Sequence, residues 1–228
     1  MKEFFQRGEG KVNAIAYMLE RTEGEAVSLE VFDELKKPGQ DAPCMRSIYT
    51  IAFRQNVGFS MPVQTFEDKL REIIDKKPKV ILEIGCGTGL YSRCFGEKLK
   101  AEGVKWIATD HPDKRALYEN MKTFCSNIEM TTDPVSLLEG TKPDDQILLA
   151  VWPEANSTYI LDYIEKFKGR YIIIVGEPGT CCADSVYLDL DAKYKGEEEY
   201  LCFYEMMLGG VHERMFVWDK HAPADSDD

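Results

Sequence analysis

The most constraining feature of this chain is a short apolar run that ends in three glycines at alternate positions. The run covers residues 80–84, and Gly85, Gly87 and Gly89 follow it. Apolar residues at helical spacing resume from Leu90 onward. A strand must therefore turn sharply into a helix through backbone that no side chain crowds. Because such a turn brings backbone N–H groups and a helix N-terminus close to a ligand, it predicts a pocket of the nucleotide-binding kind.

Apolar segments and amphipathic segments alternate after this turn. Strands are predicted at residues 80–84, 104–109, 127–130, 146–151 and 171–175. Helices are predicted at 90–100, 113–124 (capped by Asp113) and 156–167 (capped by Asn156 or Ser157). Short all-apolar strands separated by helices indicate an α/β fold with a parallel sheet covered on both faces.

The C-terminal part has a different pattern. Two apolar runs, 200–208 and 213–218, are separated by Gly209 and Gly210, with no room for a helix between them. They predict an antiparallel hairpin that closes the sheet, with His212 in its turn. Residues 221–228 are acidic and contain a proline, which is typical of a disordered tail.

Residues 1–77 are predicted to form an N-terminal helical cap on a core domain of residues 78–220. Thr65 is expected to cap the last helix of this cap, with Asp68 three residues further on. The apolar stripe of that helix consists of Phe66, Leu70, Ile73 and Ile74.

Composition restricts the partners and the compartment. The formal net charge of −12 disfavours binding to nucleic acid, because the chain has no basic patch to offset it. The seven cysteines have no metal-type spacing, so no metal site is expected. No apolar run approaches the ~20 residues that cross a bilayer. With no secretory signal in the sequence, the cytoplasm is the expected location.

Residues 80–89 resemble the first motif of class I S-adenosylmethionine-dependent methyltransferases, an apolar strand with an acidic residue followed by G-x-G-x-G. Dinucleotide dehydrogenases use a related G-x-G-x-x-G loop. Here the third glycine falls two residues after the second, and Glu83 lies within the strand; both features favour the methyltransferase form. The resemblance covers residues 78–220 and implies a Rossmann-like, seven-stranded, mostly parallel sheet with helices on both faces.

The resemblance also implies which residues bind S-adenosylmethionine. Within the motif they are Glu83, Gly85, Cys86, Gly87, Thr88 and Gly89. Glu83 would accept hydrogen bonds near the amino group of the cofactor, or it would instead be a carboxylate satisfied by neighbouring backbone. Asp110 would receive both ribose hydroxyls, for which a carboxylate is suited. Asp133 fits the adenine position or a plain turn, and His111 fits the adenosine pocket or a surface loop.

The segment after the fourth strand departs from the family. Many nucleic-acid and glutamine N-methyltransferases carry Asp/Asn-Pro-Pro-Tyr there, whereas this chain has Trp152, Pro153 and Glu154. The acceptor-binding amide or acid is missing, so transfer to a base amine by that route is disfavoured. The catalytic candidates are Trp152, as an apolar wall or cation–π face, and Glu154 and Glu177, as a substrate-orienting carboxylate or general base. Trp152 could equally be a core residue.

Three functions remain open from the sequence. The favoured one is a methyltransferase acting on a small molecule or protein rather than nucleic acid. The second is a non-catalytic protein that binds S-adenosylmethionine or a partner, which the degenerate motif at Trp152 permits. The third is a nicotinamide-dependent oxidoreductase. The acceptor, its reacting atom and the oligomeric state do not follow from the sequence.

Overall fold

The computed structural model describes residues 60, 62–114, 125, 127–154, 158–206 and 209–224. The helices predicted before residue 60 lie outside these ranges. Most of the helix predicted at 113–124 also lies outside them. So do Asn156 and Ser157, the residues expected to cap the helix predicted at 156–167.

A seven-stranded sheet forms the centre of the described chain. Its strands are β1 (Val80–Ile84), β2 (Lys105–Asp110), β3 (Ile128–Met130), β4 (Gln146–Val151), β5 (Tyr171–Gly176), β6 (Tyr194–Met206) and β7 (Gly209–Pro223). The α-helices are α1 (Gln64–Ile74), α2 (Glu97–Ala101), α3 (Tyr159–Lys166) and α4 (Asp184–Asp191). A π-helical segment, Ser92–Gly96, leads into α2. Short 3-10 helices occupy Pro112–Lys114, Pro134–Leu138 and Pro143–Asp145.

The strand order is β3-β2-β1-β4-β5-β7-β6. Strands β1 to β5 pair in parallel, and β7 lies antiparallel to both β5 and β6. The chain moves outward from β1 in one direction to β3 and then returns to add β4 on the other side. This change of direction leaves a crevice at the carboxyl end of β1, which is where open α/β sheets bind ligands. The order and the antiparallel β7 confirm the predicted Rossmann-like fold.

Both faces of the central strands are buried, as their unbroken apolar sequences predict. On one face, Ile81 of β1 packs in a cluster with Phe66 and Leu70 of α1. On the other face, Leu82 packs in a cluster with Ile160 and other residues of α3 and α4. Since α1 is part of the first cluster, the end of the predicted cap is packed directly onto the sheet. None of the helices in the described ranges is long and apolar enough to cross a membrane.

The prediction that Thr65 is the N-cap residue of α1 is wrong. The helix begins at Gln64, and the N-cap position belongs to Val63, which is extended at φ −113° and ψ 155°. No side chain hydrogen-bonds this helix end; instead the Val63 carbonyl accepts N–H groups from the first turn, 3.2 Å from Phe66 and 3.4 Å from Glu67. Thr65 is already inside the helix. Burial of Val63 against the core determines where the helix begins. A search for capping residues in the sequence cannot predict this start.

The C-terminal hairpin is longer than its apolar pattern indicates. Tyr194 pairs with Pro223 at its open end, so β7 extends into the predicted tail. His212 pairs with Phe203 within the ladder, and its predicted position in the turn is wrong. Backbone pairing continues here through polar residues, which an apolar pattern cannot detect. Helix α4 was not predicted; its two faces differ little, because acidic residues are distributed along it.

Leu70→Ala tests whether α1 belongs to the core domain. Leu70 is fully buried between α1 and the sheet, so its truncation leaves a cavity and should lower the free energy of unfolding by about 2–5 kcal/mol. The measurement is urea unfolding followed by circular dichroism. Leu188→Ala is the matched control, because Leu188 is 69% exposed and should change stability by about 0.5 kcal/mol or less. Equal effects of the two substitutions would contradict the packing described for α1.

Candidate functional site

The glycine turn after β1 has the backbone conformation that its sequence predicts. Gly85, Gly87 and Gly89 have φ values of +63°, +59° and +73°, a region that costs other residues roughly 1–2 kcal/mol each. The turn is held to β2 by the Cys86 N–H, which donates to the Thr109 carbonyl at 2.9 Å. Alternate glycines therefore allow the chain to reverse within five residues at the end of the central strand.

Other parts of the protein approach two of these glycines closely. A Cβ on Gly89 would lie 2.5 Å from the Cβ of Cys125. A Cβ on Gly85 would lie 3.4 Å from the hydroxyl of Tyr159. Gly89 is thus required by internal packing as well as by its φ. The side chains of Cys86 and Thr88 are buried, and burial raises the pKa of the Cys86 thiol well above its usual value, so that thiol stays protonated.

Asp110 connects the end of β2 to the glycine turn. It is 6% exposed. One carboxylate oxygen accepts the Gly87 N–H at 2.8 Å, and the other accepts the His111 N–H at 2.7 Å. The structure therefore brings Asp110 and the glycine turn together at the crevice.

Glu83 is buried inside the sheet, one residue before the end of β1, and is 1% exposed. The indole N–H of Trp106 on β2 donates to it at 2.8 Å. Its observed partner is thus a side chain rather than the backbone partner of the alternative prediction. Burial raises the pKa of Glu83 to about 8; the Trp106 bond opposes this shift and the nearby charge of Asp110 adds to it.

The loop after β3 adjoins Asp110, because the Thr131 N–H donates to the Asp110 carbonyl at 2.9 Å. Asp133 lies two residues further on, with an exposed side chain. It precedes the 3-10 helix Pro134–Leu138, but its side chain makes no capping bond there. His111 is 43% exposed, and its Nδ1 accepts the Asp113 N–H at 3.3 Å.

Trp152 occupies the strained position at the carboxyl end of β4. Its φ is +49°, which is unusual for a bulky residue and is often seen at functional sites. Its backbone N–H donates to the Val175 carbonyl at 2.8 Å, and its indole N–H donates to Glu213 of β7. The ring packs against both core clusters. Trp152 therefore links β4, β5 and β7 where their ends meet.

Glu213 is the site residue that the sequence interpretation missed. It is completely buried, and burial of a carboxyl group is costly unless it is bonded. A signal was present: Glu213 has the same parity along β7 as Met215 and Val217, which are both buried in the core.

The two other catalytic candidates, Glu154 and Glu177, have partners within the surrounding loops. The side chain of Glu154 is 66% exposed and lies 3.9 Å from the ammonium of Lys114. This exposed ion pair contributes little energy, but it joins the loops after β2 and β4 across the end of β1. Glu177 accepts the hydroxyl of Thr180 at 2.9 Å and so stabilises its own loop. In the described ranges no three His, Cys, Asp or Glu side chains form a group that could hold a metal.

Comparisons with known proteins give likenesses in structure alone. No protein-family model matches the chain, and no curated protein does. A putative O-methyltransferase from Klebsiella pneumoniae is similar with a TM-score of 0.49 and 14% identity, over 87% of this chain and 98% of that one. A SAM-dependent methyltransferase from Archaeoglobus fulgidus is similar with a TM-score of 0.45 and 14% identity, over 75% of this chain and 99% of that one. Magnesium protoporphyrin IX methyltransferase from Synechocystis is similar with a TM-score of 0.44 and 12% identity, over 92% of this chain and 97% of that one.

Glu83→Gln tests the burial of the β1 carboxyl group. The unfolded carboxyl group loses its proton near pH 4.5 and the folded one near pH 8. Between these values only the folded state holds the proton, so wild-type stability falls as the pH rises. Gln keeps an acceptor for Trp106 and has no such proton. The variant should therefore gain on the order of 1 kcal/mol per pH unit over wild type between pH 5 and 8.

Urea unfolding of both proteins at pH 5 and at pH 8 provides the comparison. A stability difference that is the same at the two pH values would show that Glu83 is not buried as described.

Proposed function

We propose that this protein is a methyltransferase that uses S-adenosylmethionine and acts on a small molecule or a protein. The observation that carries the proposal is the contact between Asp110 and the glycine turn: a nearly buried carboxylate lies against Gly87 at the carboxyl end of the central strand. Ligands of open α/β sheets bind at this crevice. The arrangement combines an acceptor for hydroxyl groups with backbone that a ligand can approach closely.

The residues of the crevice suit the chemical groups of this cofactor. Asp110 would accept the ribose hydroxyls, since a carboxylate can accept from two donors at once. Asp133 lies on the loop that is bonded to Asp110. Its exposed carboxylate would accept a hydrogen bond from the amino group of adenine. The turn at Gly85, Cys86 and Gly87 would pass beside the ribose and the methionine portion. Thr88 and Gly89 lie behind this surface and maintain the turn.

Glu83 would accept hydrogen bonds near the amino group of the cofactor, directly or through water. At pH 7 its raised pKa keeps it largely protonated, and a nearby ammonium group would favour the charged form. His111 would lie at the edge of the adenosine pocket, since its backbone N–H is already bonded to Asp110.

The cofactor supplies an activated methyl group on its sulfonium when it is bound. The work left to the protein is to hold the acceptor in line with that methyl group and to exclude water. Trp152 would form a wall of the acceptor space at the end of β4, fixed by its bonds to Val175 and Glu213. Glu154 and Glu177, as they stand, would serve as general bases only after their side chains turn toward this space.

One observation favours the alternative of a non-catalytic binding protein. Glu154 is exposed beside Lys114, and Glu177 is bonded within its own loop, so no carboxylate base is aimed at the acceptor space from these two positions. The enzyme remains the better-supported proposal, because an activated methyl group requires few catalytic groups. The net charge of −12 supports an acceptor other than nucleic acid.

Asp110→Ala tests the proposed cofactor site. Loss of the carboxylate should weaken S-adenosylhomocysteine binding by about 1–3 kcal/mol, which is roughly 5- to 150-fold in Kd. Isothermal titration calorimetry measures the affinity. Asp113→Ala is the matched control, because the Asp113 side chain is 87% exposed, and its removal should leave the affinity unchanged.

The same proteins decide between the enzyme and the binding protein. Wild type incubated with S-adenosylmethionine and a panel of small-molecule and protein acceptors should form S-adenosylhomocysteine above the acceptor-free level, and Asp110→Ala should form less. Binding of the cofactor with no turnover across the panel would favour the non-catalytic alternative. An affinity that Asp110→Ala does not change would remove Asp110 from the site.

A further inference from the structure

Tyr159, the first residue of α3, places its hydroxyl against the glycine turn. The hydroxyl oxygen lies 3.4 Å from the position that a Cβ on Gly85 would occupy. The ring packs against the core cluster on the α3 face of the sheet. It also meets the ring of Tyr163, one helical turn later, edge to face with 6.0 Å between centroids. Packing of the ring therefore fixes the hydroxyl over Gly85.

The surroundings keep this hydroxyl neutral. Burial raises the pKa of Tyr159, and the negative charge of Asp110 raises it further, while a hydrogen bond from the Glu154 backbone N–H opposes the shift. The phenol therefore stays protonated at neutral pH. A neutral hydroxyl can donate to a carboxylate and can accept from an ammonium group. It suits a ligand that carries both groups better than another carboxylate beside Asp110 would.

The topology determines which part of a ligand passes this hydroxyl. Strand β1 lies between β2, which ends at Asp110, and β4, which ends at Val151. A ligand with its ribose on Asp110 and its reactive methyl group near the end of β4 must cross the end of β1. Gly85 is the first residue beyond that end. In S-adenosylmethionine the groups beyond the ribose are the sulfonium and then the amino-acid end.

We propose that the Tyr159 hydroxyl hydrogen-bonds the amino-acid end of the cofactor as that end crosses Gly85. Tyr159 is then a ligand contact rather than only a packing residue of α3. The inference rests on the proposed function, since it takes S-adenosylmethionine as the ligand.

Tyr159→Phe removes the hydroxyl and keeps the ring packing. Two probes separate a local contact from a general effect: S-adenosylhomocysteine, which has the amino-acid end, and methylthioadenosine, which lacks it. The variant should bind S-adenosylhomocysteine about 5- to 10-fold more weakly than wild type, the loss expected for one hydrogen bond. Methylthioadenosine affinity should change by less than about twofold. Titration calorimetry of both probes on one preparation gives the ratio, which a loss of folded protein does not alter.

Tyr171→Phe is the matched control. Tyr171 is a buried tyrosine at the start of β5, the opposite end of the sheet, and its substitution should change neither affinity. Tyr159→Phe would overturn the inference if it left S-adenosylhomocysteine binding unchanged or weakened both probes equally. Wild type that binds neither probe would overturn the proposed function itself, a result that differs from either outcome for the variant.

Discussion

The hydrogen bond from the Gly87 N–H to the Asp110 carboxylate, 2.8 Å long, is the interaction on which the rest of the site depends. It joins the ends of β1 and β2 at the point where the sheet changes direction. The bond requires a backbone N–H turned toward β2, which the +59° φ of Gly87 provides. It also requires a carboxylate with little exposure to water, since solvent would compete for its oxygens. The geometry of the turn and the position of Asp110 are therefore determined together, at one edge of the sheet.

A second constraint is shared by the three tryptophans of the chain. Each donates its indole N–H to a carboxyl group on another element: Trp106 to Glu83, Trp152 to Glu213 and Trp218 to Asp191. An indole needs a partner when it is buried, and so does a carboxyl group, so each pair satisfies both requirements. Two of these pairs lie on the same face of the sheet. One pair joins β1 to β2 within the sheet, and the other joins the strained Trp152 after β4 to β7. Buried carboxyl groups thus bind the indole N–H groups of two large rings that pack against the same core cluster.

Much of the fold could be predicted from the sequence, because the central strands are apolar on both faces. The bounds predicted for β1 and β4 agree with the structure. The start of α1 could not be predicted, since burial of Val63 rather than a capping side chain determines it. The bounds of β6 and β7 were missed because backbone pairing extends through polar residues. In the candidate site, the glycines and Asp110 follow strands directly in sequence, so their contact at the end of the sheet could be predicted. Glu213 contacts Trp152, and Tyr159 contacts Gly85, only because the chain folds. These contacts could not be predicted from a sequence motif.

We propose that the glycine turn and Asp110 bind S-adenosylmethionine rather than a dinucleotide. The most direct test is calorimetric titration of the wild-type protein with S-adenosylmethionine and, separately, with NADH under the same conditions. We expect saturable binding of S-adenosylmethionine with one site per chain and no saturable binding of NADH. Saturable binding of NADH in the absence of any binding of S-adenosylmethionine would contradict the claim and favour a nicotinamide-dependent oxidoreductase.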